Sequence, residues 1–515
     1  MQKSLTGNSL DDLRPVSFEA DGQWCPMSHC NRTDNSFQSV LPLRSVRRFR
    51  KLGAPVAHSE GFIHLGSFTG RSMAVCTYST PSLPALAAFS YHDGSVIWTS
   101  PMEDLPGYPL RVPLGILMAR MSARGKPAET YVFAANRAEF VAYSAAGRRI
   151  WKRRNTEVAS GAPGGVGLPI SLTFNDAKEI VTATTGGWIV KLSPLNGQTI
   201  DAYKMETSIV HEGRLYSGYF FTCKSPIVIG NTLYLLAEFK SDDSKALPQV
   251  LSPVHVIRIS LTSPGVLGEE HRIQALHQPS NCKERLPDRV SVGIHRGRGS
   301  PPAWITPTGT VQIFATAHAF RNGRMYPTIA GVEDQRGVLT QRWLSVMNVA
   351  LGDSVHAAPA LYGPSGILFV TTLQKIFLFR RASELRGTVP CPSPLPGEAL
   401  VAIASNPAIA TVGFGSPFAL TLDQDANEIV GYTNYRAISV AGLSYGILGA
   451  FALHRTRDEA PRPLWYRPLG VSADGRIVPG LGTLGQPALF EYEYGNHRAT
   501  GLIVNTVFGG TYMIK

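Results

Sequence analysis

With 515 residues, the chain is long enough for two or three ordinary domains or for one large repeat architecture. Its apolar content of 44% is that of a soluble globular protein, and its 50 glycines and 37 prolines favour short strands joined by turns over long amphipathic helices. The 49 Lys and Arg exceed the 37 Asp and Glu, and the formal charge of +12 permits an acidic partner or polyanion without requiring one.

The beginning of the chain predicts neither secretion nor membrane insertion. Residues 1–22 lack the apolar core of a signal peptide, and no later stretch approaches the roughly 18 apolar residues of a membrane span. The cysteines are scattered and form no CxxC pair, as a reducing compartment allows. We therefore expect a cytoplasmic protein with free thiols at all six positions, which are Cys25, Cys30, Cys76, Cys223, Cys282 and Cys391.

Four potential metal ligands lie close together in WCPMSHCNRTDN, residues 24–35. The spacing of Cys25, His29 and Cys30 matches no common zinc site, and it is not the CxxCH motif of covalent haem. Adjacent residues cannot easily both face one tetrahedral ion, and a fourth ligand would have to come from Asp34 or from a distant residue such as His64. We favour a structural strap without metal, and a metal or redox site is the alternative.

One element recurs from residue 54 onward: a small or polar residue, then proline, then an apolar residue and a strand-like run. Four of the seven intervals between its prolines measure 56 to 58 residues. The prolines of the eight copies are Pro55, Pro113, Pro169, Pro226, Pro302, Pro359, Pro407 and Pro487.

Most copies continue with a second strand, a turn rich in Gly, Asn or Asp, and a last strand that holds an aromatic residue in five of them. These patterns are typical of an all-β meander repeated in a ring. We predict an all-β fold, an eight-bladed β-propeller of four-stranded antiparallel blades. The aromatic residues of the last strands should dock one blade on the next, and the tryptophans among them should be largely buried; they are Trp98, Trp151, Tyr203, Trp343 and Trp465.

The two ends of the chain predict closure of the ring. The segment that ends at Lys515 supplies the inner strands of a blade but stops before an outer strand, and Ser45–Arg50 looks like that missing strand. We expect an N-terminal extension and strap at 1–44 and a single propeller domain at 45–515. Long insertions are able to cover one face of the propeller, and we place them at about 241–253, 264–299 and 436–480.

This repeat resembles the PQQ-like (quinoprotein-like) propeller repeat. The best copies are AAFSYHDGSVIW at 87–98 and FVAYSAAGRRIW at 140–151, which show its alanine-rich strand, turn and docking tryptophan. The resemblance covers roughly residues 24–515. It also includes a loose match to the segment with which many members open, through Trp24, Pro26, Met27, His29 and Thr33.

The resemblance does not extend to the site of the PQQ dehydrogenases. Those enzymes hold the cofactor with a calcium or lanthanide ion bound by Glu, Asn and Asp, usually beside a vicinal disulfide. This chain has no adjacent cysteines, and no such ligand set aligns with it. We therefore expect no cofactor and no metal, because a fold alone does not carry a function.

Two further motifs have ordinary structural explanations. Residues 423–427, DQDAN, open like a calcium loop, but Glu428 stands where an EF-hand needs glycine and Asn434 where it needs glutamate, so we predict a hairpin turn. Basic runs occur without exposed aromatics at nucleic-acid spacing, and two of them coincide with predicted outer strands. We expect no nucleic-acid partner for these runs, which are Arg44–Lys51, Arg148–Arg154 and Lys283–Arg298.

Propeller sites usually lie where the innermost strands begin, around the central channel. By register, the residues just before the recurring prolines should line this mouth and bind ligand. His356 is able to act as an acid or base, but no carboxylate pair or Ser/His/Asp group accompanies it. The candidate ligand-binding residues are Arg111, Lys224, Ser225, His356, Asn406 and Gln486.

Two classes of function are consistent with the sequence. The first is a non-catalytic propeller that binds a protein or small-molecule ligand at one face. The second is a cofactor-independent enzyme, a lyase, cyclase or hydrolase, with its active site in the central funnel. We favour the binding protein, expected as a monomer without a membrane span, because the sequence shows no catalytic constellation.

Overall fold

A computed structural model describes strands along the chain and one short 3₁₀ helix at Asn155–Glu157. The residues that the structure describes are 14–15, 42–51, 63–68, 71–79, 84–90, 93–103, 115–121, 129–211, 214–222, 225–242, 254–262, 272–275, 289–291, 301–306, 308–321, 324–347, 359–362, 367–371, 376–379, 395–397, 409–414, 418–439, 444–455, 461–469, 487–494, 497–506 and 510–515.

Two short strands, β1 (Arg14–Pro15) and β2 (Phe49–Lys51), precede the first sheet. Sheet 1 contains β3 (Ile63–Phe68), β4 (Arg71–Ser79), β5 (Pro84–Ser90) and β6 (Val96–Pro101). Sheet 2 contains β7 (Gly115–Met121), β8 (Glu129–Ala135), β9 (Glu139–Ser144) and β10 (Arg149–Arg154), with β1 beside β7. Sheet 3 contains β11 (Thr173–Phe174), β12 (Ile180–Ala183), β13 (Trp188–Leu192) and β14 (Thr199–Lys204).

The next two sheets have more strands. Sheet 4 contains β15 (Glu206–His211), β16 (Arg214–Phe221), β17 (Ile227–Ile229), β18 (Thr232–Ser241), β19 (Val254–Ser260) and β20 (Arg272–Ala275). Sheet 5 contains β21 (Arg289–Ser291), β22 (Ala303–Ile305), β23 (Val311–Arg321), β24 (Arg324–Gln335) and β25 (Val338–Val346).

Three sheets complete the chain. Sheet 6 contains β26 (Ala360–Tyr362), β27 (Ile367–Thr371), β28 (Ile376–Phe379) and β29 (Leu395–Gly397). Sheet 7 contains β30 (Ile409–Phe414), β31 (Ala419–Asp423), β32 (Glu428–Ser439), β33 (Ser444–His454) and β34 (Arg462–Leu469). Sheet 8 contains β35 (Ala488–Tyr494), β36 (His497–Thr506) and β37 (Gly510–Ile514), with β2 paired to β37.

Consecutive sheets pack face to face. Shared clusters of buried side chains join sheet 1 to 2, 2 to 3, 3 to 4, 4 to 5, 5 to 6 and 7 to 8. Phe369 of sheet 6 contacts Phe418 at the edge of sheet 7, with ring centroids 5.6 Å apart, and β3 of sheet 1 contacts β35 and β36 of sheet 8. The series of contacts returns to its start, so the fold is an all-β propeller.

The prediction of an eight-bladed propeller with four strands in every blade is wrong. Within the described residues, only sheets 1, 3, 6 and 8 have four strands, whereas sheets 2, 5 and 7 have five and sheet 4 has six. In sheets 4, 5 and 7 the cause is the same: two separate strands pair with different halves of one long strand. The proline spacing implied that the sheets are copies of one unit, and the structure shows that they are not.

The predicted pairing of the two ends of the chain is confirmed. Strand β2 lies antiparallel to β37, with Phe49 opposite Ile514. The backbone N–H groups of Arg47 and Arg48 both donate to the carbonyl oxygen of Lys515 at 2.7 Å. The N-terminal segment thus provides the outer strand of sheet 8 and removes an open edge there. The domain boundaries at residues 44 and 45 stay predictions.

Residues Leu43–Arg44, the latch, fasten this segment to sheet 7. The N–H of Leu43 donates to the hydroxyl of Tyr432 at 2.6 Å, and the indole N–H of Trp465 donates to the Leu43 carbonyl at 2.8 Å. The Arg44 guanidinium contacts carboxylate oxygens of Asp423 at 2.5 Å and of Glu428 at 2.6 Å. The latch therefore joins sheets 7 and 8 by both packing and charge.

The segment that resembles a calcium loop contains the same two carboxylates. Asp423 pairs with Glu428 across the β31–β32 hairpin, which confirms the predicted turn. Partial burial raises the pKa of Asp423, but hydrogen bonds from the Ala426 N–H and from Arg44 outweigh it, so this pKa lies below its ordinary value of 3.8. Burial likewise opposes the bonds of Glu428 to Arg44 and Arg462, and its pKa lies below the ordinary 4.5.

The outer-strand tryptophans dock each sheet on its neighbour, as the repeat predicts. The indole N–H of Trp98 in sheet 1 donates to Ala145 of sheet 2, and that of Trp151 in sheet 2 donates to Pro194 of sheet 3, each at 2.8 Å. Trp343 stacks on Phe379 of sheet 6. The predicted burial holds fully only for Trp343, which is 1% exposed, because the other three lie at the solvent side and are half-buried.

Glycines in the turns make room for these indoles, which gives a first prediction. A Cβ added to Gly147 would lie 2.6 Å from the ring of Trp98, whereas one added to Gly309 meets no described atom within 4 Å; both glycines have φ of +79°. Gly147→Ala should therefore lower the free energy of unfolding by about 1–2 kcal/mol for the left-handed backbone and by about 1–3 kcal/mol for overpacking against Trp98. Gly309→Ala should show only the backbone effect. Equal losses in denaturant unfolding would contradict the docking geometry.

The latch gives a second prediction. Because both carboxylate pKa values are lowered in the folded state, their stabilisation is present above pH 4.5 and is lost as the pH falls below the ordinary values of 3.8 and 4.5. Arg44→Met should lower the free energy of unfolding by about 1–2 kcal/mol near neutral pH, a figure discounted for solvent screening. The difference from the parent should shrink in acid.

The matched control is Arg462→Met, which removes a contact to Glu428 from a side chain that is 58% exposed. Urea titrations at several pH values should show a smaller and less pH-dependent effect for this control. If Arg44→Met lowers the free energy of unfolding by the same amount at neutral and at acid pH, the latch acts by packing alone.

Candidate functional site

The predicted mouth residues are mostly outside the part of the chain that the structure describes. Five of the six lie outside it, as does the segment 25–34 for which the sequence predicts a strap; the five are Arg111, Lys224, His356, Asn406 and Gln486. Ser225 is described: it is buried just before β17. No group of three or more His, Cys, Asp or Glu residues suited to a metal occurs among the described residues, and no described helix has the length and apolarity to cross a membrane.

The described residues reveal a different feature at the same face. The first strands of neighbouring sheets touch one another, β35 with β3, β3 with β7 and β26 with β31, so they are innermost. We call the side at which these strands begin the mouth face. The second strand of each sheet starts at the opposite face and runs toward the mouth.

In three sheets this second strand is long and continues past its innermost partner. In sheet 4, β17 pairs with residues 232–234 of β18, and β16 pairs with 238–241. In sheet 5, β22 and β21 divide β23 in the same way, and in sheet 7, β31 and β30 divide β32. The added strands β16, β21 and β30 pair with the mouth ends of the long strands, and β15 pairs with β16. We call these four strands the raised rim.

One rim strand overlaps a segment where the sequence predicts an insertion: β21 lies within 264–299. The last residues of the long strand β32 lie within another such segment, 436–480. Strands β23 and β32 are 11 and 12 residues long. Strands of ordinary blades need only about five or six residues.

The hairpin β15–β16 projects beyond the long strand with which it pairs. Gly218 pairs with Ser241, the last residue of β18, so residues 214–217 extend beyond that strand. Val210 and Leu215 face each other near its tip and are 71% and 70% exposed. They are the most exposed large hydrophobic side chains in the described residues, and such a pair marks a binding surface more often than a scattered single residue does.

The base of this hairpin is fixed to the propeller. The Met205 N–H donates to the Gly187 carbonyl of sheet 3 at 2.8 Å, and the Phe220 N–H donates to the Met205 carbonyl at 2.9 Å. The side chains of Met205 and Phe220 are buried between sheets 3 and 4. The Tyr219 ring lies beneath the ammonium groups of Lys204 and Lys240, at 5.3 and 5.8 Å from its centroid. A rigid base with an exposed tip reduces the entropy lost on binding.

The described concavity beside the hairpin base is small. Its cavity volume is about 10 Å³, far below the roughly 300 Å³ at which ligand pockets begin. A flat or projecting surface suits a protein partner better than a small molecule. The lining residues are Tyr203, Met205, Glu206, Thr207, Phe220, Ile257 and Ile259.

Buried ionisable groups elsewhere fasten sheets together. Burial raises the pKa of Glu139, whose carboxylate accepts from the Glu103 N–H at 2.7 Å across sheets 1 and 2. Burial and a 2.6 Å hydrogen bond donated to Asp334 raise the pKa of Tyr234, and Arg258 binds the same carboxylate oxygen. Each of these bonds joins neighbouring sheets or strands, so packing accounts for them.

No protein-family model matches the chain, and the comparison with curated proteins finds no match. Solved structures show similarity at low identity. BamB from Moraxella catarrhalis is 10% identical over 92% of this chain and 97% of its own, with a TM-score of 0.40. The quinohemoprotein alcohol dehydrogenase from Comamonas testosteroni is 9% identical over 93% of this chain and 78% of its own, with a TM-score of 0.40.

The C-terminal WD40 domain of Sif2 is 8% identical over 93% of this chain and 99% of its own, with a TM-score of 0.42. Identities and scores this low do not carry a function from one protein to another. The function of this chain therefore has to be argued from the geometry of its own rim.

Proposed function

We propose that this chain is a non-catalytic β-propeller that binds a protein partner on its raised rim, with the β15–β16 hairpin as the anchor. The observation that carries the proposal is the exposed pair of Val210 and Leu215 on a hairpin whose base is fixed. Burying a Val or Leu side chain contributes about 1.5–3 kcal/mol. Two such residues supply a hot spot of the kind that dominates protein interfaces.

Charge adds a preference for the kind of partner. The formal charge of +12 draws an acidic protein toward the chain over long distances, which raises the rate of encounter. The proposal also keeps the predicted relation to the PQQ-like repeat, which the pairs Trp98/Gly147 and Trp151/Gly197 support. Cytoplasmic location and a monomeric state stay part of the proposal. The enzyme alternative rests on mouth residues outside the described ranges.

The third prediction tests the rim with the same substitution at two exposed valines. Val210→Asp places a charge at the hairpin tip, and Val338→Asp places one at a 63% exposed valine in a different sheet. Because the lost burial is worth about 1.5–3 kcal/mol, Val210→Asp should weaken partner binding about tenfold or more. Val338→Asp should leave it unchanged, and both variants should keep the parent melting temperature.

The measurement is quantitative mass spectrometry of proteins retained from the source cells on immobilised parent and on each variant. We expect a defined set of proteins that the parent and Val338→Asp retain and Val210→Asp loses. Binding of a member of that set to each variant is then measured with purified protein. Equal retention by all three chains would refute a binding site on the hairpin.

A further inference from the structure

Strand β15 is an edge strand whose hydrogen-bonding phase can be assigned. Among the described residues it pairs only with β16. The Phe220 N–H donates to the Met205 carbonyl, so this pair is of the hydrogen-bonded kind, and such pairs alternate along an antiparallel ladder. The Asp242 N–H donates to the Ser217 carbonyl on the other side of β16, which fits the same phase.

This phase directs alternate backbone groups of β15 away from the sheet. The N–H and C=O groups of Glu206, Ser208 and Val210 face outward, because their pairs with β16 are of the non-hydrogen-bonded kind. Three consecutive outward positions are a template for one more strand.

The composition of β15 leaves this edge open. Its sequence ETSIVH contains β-branched residues but neither proline nor lysine, which are the usual blocks to edge pairing. The outer strand β10, RIWKRR, carries four basic residues, and β34, RPLWYRPL, carries two prolines and two arginines. The edges of those sheets are protected by charge and proline, whereas the edge of β15 is not.

We infer that the partner binds by adding an extended segment to β15 as a further strand, an inference that rests on the proposed function. The occupant is a segment of a different, acidic protein. A second copy of this chain carries the same formal charge of +12, which opposes its approach. Lys240, which contacts the Tyr219 ring and no carboxylate within the described residues, adds positive charge beside the hairpin.

The face of the hairpin specifies the side chains of such a segment. Val210 and Leu215 form an apolar end, and the hydroxyls of Ser208 and Ser217 lie 3.3 Å apart in the middle. A strand beside β15 therefore places an apolar residue next to Val210 and a small or polar residue next to Ser208, two positions away. The backbone supplies affinity and these positions supply selectivity.

The fourth prediction separates the backbone from the side chain at one position. Ser208→Pro removes the outward N–H and should leave the β16 ladder intact, since proline is tolerated on the open side of an edge strand. Ser208→Ala removes only the hydroxyl. We expect Ser208→Pro to weaken partner binding at least tenfold and Ser208→Ala less than about threefold, with both variants folded. If Ser208→Pro unfolds, Glu206→Pro removes a neighbouring outward N–H.

Two measurements are made on the parent and each variant. The first is binding of the proteins that distinguish Val210→Asp from Val338→Asp, and the second is selection from a phage-displayed library of random 12-residue peptides. The parent and Ser208→Ala should enrich acidic peptides that alternate apolar and polar residues, and Ser208→Pro should not. Equal enrichment on Ser208→Pro, or none on the parent, would overturn strand addition.

The outcomes distinguish the two proposals. Loss of binding in Val210→Asp with full binding in Ser208→Pro refutes strand addition and leaves the rim as a docking surface. Full binding in Val210→Asp refutes the docking surface itself. The mass of the parent in solution tests the occupant: a dimer that Ser208→Pro converts to a monomer would identify a second copy of this chain and contradict the acidic partner.

Discussion

Face-to-face packing of neighbouring sheets is the constraint on which the rest of this structure depends. The middle strands of a sheet are buried on both faces, as β12 and β13 show with buried residues at nearly every position. A sheet with two apolar faces cannot exist alone in water, so each sheet needs a neighbour on either side. Closure follows from this requirement, and the pairing of β2 with β37 and the latch at Leu43–Arg44 provide it.

The raised rim extends three of the sheets beyond their innermost strands. The long strands of sheets 4, 5 and 7 continue past their innermost partners, and short added strands pair with these extensions. Side chains on two of the extensions are still buried, Phe239 in β18 and His318 in β23, whereas Val210 and Leu215 near the tip of the β15–β16 hairpin are exposed. The same extension that completes the ladder of β18 leaves an open edge at β15. The proposed binding site therefore lies at the exposed tip of the hairpin, beyond the side chains that pack between sheets.

Sequence patterns predicted the features that repeat locally. The turn glycine and the aromatic outer strand recur at a fixed spacing, so Trp98, Trp151 and their docking followed from the sequence, as did the strand exchanged between the two ends. The unequal sheets could not be predicted, because β21 and β30 pair with residues 21 to 31 positions away and no local pattern reports such pairing. The sequence ETSIVHEGRLYSGYFF does contain a hairpin pattern, two alternating runs around Glu-Gly. The register of the prolines predicted the mouth residues and not this hairpin.

Residue-resolved amide hydrogen exchange of the free protein tests the open edge of β15 most directly. The account predicts alternation: the amides of Thr207 and Ile209, bonded to β16, should exchange slowly, and those of Ser208 and Val210 should exchange at close to the rate of unstructured peptide. Slow exchange at Ser208 and Val210 in the free monomer would show that the chain itself already covers this edge, and the rim would then have no strand to offer a partner.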